Sequence, residues 1–158
     1  MPTNIGIAFE DVISENPDLW GEFTKYARLE GHSIFIVAED PSYTAIDQLE
    51  YMGLYHQINW DSVLSVFSFL SAKGVDLYID EVTKRWKARD GHAWYNAKAR
   101  MCFENKIAIM FEENPRYFAA FGNIVTRLVN IRNKSDFEMI LSTTEKLKKI
   151  NSWFDDFK

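Results

Sequence analysis

The sequence predicts an α/β fold of Rossmann-like type: a three-layer sandwich with a mainly parallel sheet of about five strands, helices on both faces and a small hairpin insertion near residues 80–95. Two observations carry this prediction. Short runs rich in Ile, Val and Phe occur at residues 4–9, 33–38, 75–79, 106–111 and 124–129, with helix-compatible segments between them. The runs are apolar throughout rather than alternating, as strands covered on both faces are. Strand–helix alternation implies βαβ crossovers, hence parallel pairing and ligands at the carboxyl ends of the strands. A third observation concerns size: 158 residues, 47% hydrophobic and 26% charged, suit one domain spanning residues 1–158 with a substantial core.

Each element has a local reason. The first strand is the Ile-rich run at 4–9, and the first helix, 18–30, closes with Arg28-Leu29-Glu30 before a capping Gly31. Strand 33–38 and helix 44–52 follow. Asp61 is the expected amino-terminal cap of a helix over 61–73, which Gly74 ends. Strand 75–79 then leads into the polar stretch 83–92, where Asp90-Gly91 is a tight-turn signal and a projecting hairpin is expected. Helix 93–105, strand 106–111, helix 115–121 and strand 124–129 complete the alternation. A last helix is predicted over 135–154: Ser135 and Glu138 form a capping box, and Ile140, Leu141, Thr144, Leu147 and Ile150 recur at helical spacing.

A net charge of −5 provides no general basic field for a nucleic-acid backbone. The local cluster Lys84, Arg85, Lys87 and Arg89 around Trp86 allows two readings, a phosphate- and base-binding hairpin or a solvated hairpin with Trp86 packed inward. Cys102 has no cysteine to pair with and reads as a small buried hydrophobe. The chain shows neither a secretory leader nor an apolar run of about 18 residues, so a cytoplasmic, non-membrane protein is expected. His32, His56 and His92 lack metal-ligand spacing, and no Gly-rich phosphate loop or nucleophile elbow is present.

Four strand ends, taken in order, resemble the motifs of haloacid-dehalogenase-type phosphatases. Ile5-Gly6-Ile7-Ala8-Phe9-Glu10-Asp11-Val12-Ile13 is similar to the first motif, an apolar strand ending in Asp-x-Asp-Gly. The resemblance puts Ala8 at the nucleophile, Glu10 at the second Asp and Asp11 at the Gly. Residues 33–40 resemble the second motif with Ala38 in place of the phosphate-binding hydroxyl; Lys98 lies where the third motif has its Lys; and residues 106–115 resemble the fourth, with Glu112 and Glu113 for the paired Asp. The resemblance spans roughly residues 4–130 and implies a capless member.

Phosphoryl transfer through an aspartyl phosphate needs a carboxylate nucleophile, a divalent ion and a group on the transferring phosphate. A methyl at Ala8 attacks nothing, and Ala38 holds nothing. The resemblance therefore implies a catalytically inactive domain that serves as a protein-binding or regulatory module. Similar short members with this Gly-Ile-x-Phe-x-x-Val-Ile start occur in tailed phages, which implies a phage protein that binds a host complex such as the transcription machinery. Two alternatives stay open. One is a Mg²⁺-dependent phosphatase or nucleotidase with a non-standard site, using Glu10, Glu112 and Glu113 as oxygen ligands. The other is a nucleic-acid-binding domain working through the basic hairpin. The expected interaction surface comprises Lys84, Arg85, Trp86, Lys87, Arg89 and Trp94, together with Trp153 and Phe154 near the carboxyl end.

Overall fold

In a computed structural model, which describes residues 2–131, β1 (Asn4–Ala8) is the central strand of a five-stranded sheet. It is buried from Ile5 to Ala8, because neighbours cover it on both faces. Gly6 has a packing reason: a Cβ there would stand 2.8 Å from Met110 Sδ and 3.3 Å from Ile107 Cγ2. After β1 come helix α1 (Pro17–Leu29), β2 (Ser33–Ala38), α2 (Ser42–Tyr51), β3 (Ser62–Ser65) and α3 (Val66–Ala72). A short hairpin of β4 (Leu77–Ile79) and β5 (Trp86–Ala88) precedes α4 (Gly91–Glu104), β6 (Ile109–Glu112) and β7 (Arg127–Asn130).

The sheet order is β3-β2-β1-β6-β7, and every pairing in it is parallel. Right-handed crossovers therefore place α1 and α2 on one face and α3 with α4 on the other, where α3 and α4 pack together. The expected Rossmann-like α/β fold, with a parallel sheet of five strands and a small hairpin, is present. A cluster of Trp20, Phe23 and Phe111, with ring centroids 5.4–5.7 Å apart, packs α1 against β6. No helix among the described residues is long and apolar enough to cross a membrane.

Several boundaries differ from expectation. The segment 61–73 is two elements: β3 pairs with β2, and the cap of α3 is Ser65, whose hydroxyl accepts the Ser68 N–H at 3.0 Å. Asp61 caps nothing; its carboxylate takes the Arg28 guanidinium at 2.9 Å and the Ile34 N–H at 2.7 Å, tying α1 to the head of β2. The run at 75–79 does not join the main sheet but pairs antiparallel with Trp86–Ala88. Asp90-Gly91 is not the hairpin turn. Asp90 caps α4 by accepting the Ala93 N–H, and the hairpin turns at residues 80–85 with Lys84 at φ +59°. The helix expected at 115–121 is two short 3-10 turns, Pro115–Tyr117 and Ala119–Asn123. Gly31 and Gly74 do end their helices with φ of +94° and +76°. The helix expected over 135–154, with Trp153 and Phe154, lies outside the described residues.

Candidate functional site

The connections of the sheet reverse direction between β1 and β6, and open α/β sheets take ligands in the crevice beyond the carboxyl ends at such a point. The strands deliver Ala8, Ala38 and Glu112 there. Ala8 and Ala38 are fully buried, so two adjoining strand ends present only methyl groups.

Beyond Ala8 the backbone kinks. Glu10 is extended (φ −67°, ψ 134°), whereas Asp11 adopts φ +64°, a left-handed conformation that Gly takes freely and Asp tolerates. Ser14 Oγ accepts the Asp11 N–H at 3.1 Å and holds the turn. The kink sends the two acids in different directions. Both carboxylate oxygens of Glu10 accept the Glu39 N–H, at 2.8 and 3.1 Å, while Asp11 reaches the Arg85 guanidinium at 3.5 Å.

Beneath them lies a buried ion pair. Lys98 on α4 donates to Glu112 Oε1 at 2.6 Å, and both side chains are 1% exposed. The second oxygen of Glu112 accepts the N–H groups of Glu113 and Asn114 at 2.8 and 3.3 Å. The Lys98 ammonium also sits 4.0 Å from the centre of the Tyr117 ring. Burial alone would favour neutral Lys98, but the carboxylates of Glu112, Glu39 and Glu10 outweigh it and hold the ammonium above its ordinary range.

Two residues not singled out from the sequence complete the network. Glu39, the residue after β2, accepts the Tyr117 hydroxyl at 2.9 Å on one oxygen and the Arg85 guanidinium at 2.9 Å on the other. Tyr117 in turn accepts the Trp94 indole N–H at 3.0 Å, and burial with the Glu39 carboxylate drives its hydroxyl pKa far upward. A signal for Glu39 existed in its place at a strand's carboxyl end. Tyr117 carried none, because a 3-10 turn brings it inward. Burial, reinforced by Glu39 and opposed by Lys98, raises Glu10 from 4.5 to about 7.

The expected interaction surface is therefore mostly engaged with the protein itself. Trp94 is 2% exposed and belongs to the core rather than to a surface, because it faces Tyr117. Arg85 turns inward to Glu39 and Asp11, joining the hairpin to the site. Lys87 pairs with Asp80 at 3.3 Å and Arg89 with Asp76 at 2.9 Å, so carboxylates already neutralise much of the basic cluster. Trp86 packs on Phe67 with ring centroids 4.4 Å apart, as the inward reading expects. Lys84 remains exposed at the hairpin turn. The metal reading of Glu10, Glu112 and Glu113 also needs correction. Glu112 is closed on Lys98 and Glu10 on the Glu39 backbone, and among the described residues no three acidic, His or Cys side chains converge as metal ligands. Cys102 is fully buried, and burial pushes its thiol up to about 12, which makes it a packing residue.

Together these features define a Rossmann-like α/β domain whose switch point is filled by its own hydrogen-bonded side chains. No family model matches the chain, and neither a curated protein nor a solved structure matches it.

Proposed function

We propose that this chain is a catalytically silent domain of the haloacid-dehalogenase type that acts in the cytoplasm as a protein-binding or regulatory module. The observation that carries the reading is the Lys98–Glu112 pair at 2.6 Å at the end of β6, the strand that pairs with the β1 strand ending in Ala8. In the family the corresponding Lys offsets phosphate and nucleophile charge; here it is closed on the protein's own carboxylate, and there is no nucleophile for it to serve. Asp11 adds support. It stands where the family has Gly and adopts the positive φ that a Gly there would serve.

An intact core that lacks the reactive groups of the phosphatase motif suits recognition of another macromolecule. In its most specific form the proposal is a phage protein that binds a host complex such as the transcription machinery. A phosphatase assay with Mg²⁺ on the wild type and on Ala8→Asp tests the reading. Neither protein is expected to turn over substrate, because the new carboxylate would meet Ala38 in place of a phosphate-binding hydroxyl and a Lys98 already paired. Wild-type turnover that disappears in Glu10→Gln would sink the proposal in favour of a non-standard phosphatase or nucleotidase.

A further inference from the structure

Helix α2 buries one face and leaves the other without a partner among the described residues. Ala45 and Leu49 are fully buried under it, whereas Tyr43, Asp47 and Tyr51 follow one another at one-turn spacing on the outer side. Tyr43 is 71% and Tyr51 93% exposed. The loop after α2 adds Tyr55 and Ile58, exposed by 51% and 52%. This loop is pinned. Asn59 accepts the Tyr55 N–H at 3.0 Å and donates to Gly21 O at 3.1 Å, and the buried Trp60 donates to Leu54 O at 3.2 Å. The outward side chains are therefore presented by an ordered backbone, which lowers the entropy lost on binding.

The charge carried by this stretch of sequence has one sign, and Arg28 of α1, a cation that reaches its loop, is held by Asp61 and the Gln57 carbonyl. Between Leu29 and Ala72 the sequence contains Glu30, Glu39, Asp40, Asp47, Glu50 and Asp61 and no Lys or Arg. Glu39 and Asp61 are held by Arg85 and Arg28. Asp47 and Glu50 are exposed on α2 and have no ion-pair partner among the described residues. Tyrosine rings beside free carboxylates suit guanidinium and ammonium groups, which stack on the rings and pair with the acids. The same charges repel a phosphate backbone and an anionic lipid surface.

We propose that the outer face of α2 with Tyr55 and Ile58 is a docking surface for a Lys/Arg-rich segment of a partner protein. The proposal rests on reading the chain as a protein-binding module and names the surface and the partner chemistry. The test is fluorescence anisotropy of the full chain with a labelled peptide of alternating Arg and Ala. Saturable, salt-sensitive binding is expected, weakened about tenfold by Tyr51→Ala and by the pair Asp47→Asn/Glu50→Gln. Tyr51→Phe, which keeps the ring, retains most of the affinity, and Phe103→Ala, on α4, leaves it unchanged. Binding that is absent, or that Phe103→Ala weakens as much as Tyr51→Ala, overturns the proposal. So does self-association lost in Tyr51→Ala without peptide binding, which would assign the face to a second copy. Phosphatase turnover would remove the functional reading while leaving the peptide result intact, so the two failures are distinguishable.

Discussion

Replacing Glu10 by Gln isolates one titration from the rest of the network. The amide keeps an oxygen to accept the Glu39 N–H, which Glu10 now receives at 2.8 Å, but it cannot ionise. Burial, with Glu39 reinforcing and Lys98 opposing, raises the Glu10 carboxyl from 4.5 to about 7. Below 4.5 the group is protonated in folded and unfolded chains alike, so it imposes no ionisation penalty. Between 4.5 and about 7 the folded chain retains a proton that the unfolded chain has released, and stability falls as pH rises. Above about 7 the whole penalty is present; a shift of this size corresponds to about 3 kcal/mol. The stabilising effect of Glu10→Gln should therefore grow from near zero at pH about 4.5 to as much as about 3 kcal/mol at pH about 8. Urea denaturation followed by Trp fluorescence, run on both proteins across that range, reads the difference directly. Contributions from other carboxylates, such as Asp61, whose pKa is lowered, cancel between the two proteins. A Gln-minus-Glu stability difference that stays constant with pH would refute the assignment of a partly buried carboxyl with a raised pKa at the sheet edge.

Other perturbations probe different parts of the network. Lys98→Met alone should cost about 3–5 kcal/mol by leaving Glu112 charged and buried, and adding Glu112→Leu should recover much of that, as denaturation of single and double variants would reveal. Arg85→Ala should cost about 1–3 kcal/mol, since its side chain is 40% exposed but the Glu39 carboxylate it leaves is only 8% exposed, and should speed amide exchange across Trp86–Ala88. Unchanged exchange there would mean that Arg85 does not tether the hairpin. Gly6→Ala should destabilise by about 1–3 kcal/mol as its methyl meets Met110, and trimming the sulfur-bearing arm with Met110→Ala in the same chain should relieve the clash.

The sheet was legible because its central strands are apolar at consecutive positions, as Ile5 to Ala8 and Ile36 to Ala38 show, buried in succession and so covered on both faces. Strand β3 was not. Its four residues have no pattern of their own and become a strand only by pairing with β2, while Asp61 imitates a helix cap until Arg28 takes its carboxylate. The hairpin was visible as a polar stretch, but its turn was misplaced by Asp90-Gly91, since a cap and a tight turn favour the same residues.

The candidate site divides along the same line. Positions fixed by strand ends, Ala8, Glu10, Ala38 and Glu112, could be read from the chain, because a strand carries its last residues to the carboxyl edge of the sheet whatever lies elsewhere. Glu39, Tyr117 and the inward turn of Arg85 could not, for they meet across 46 and 78 residues of sequence. Sequence alone determined the α/β class and the placing of unreactive methyl side chains, Ala8 and Ala38, at two strand ends, since both follow from local pattern and side-chain chemistry. Only the tertiary structure decided what fills the space beyond them: burial at the switch point removes water from Lys98 and its carboxylates, so each must find its partner within the protein.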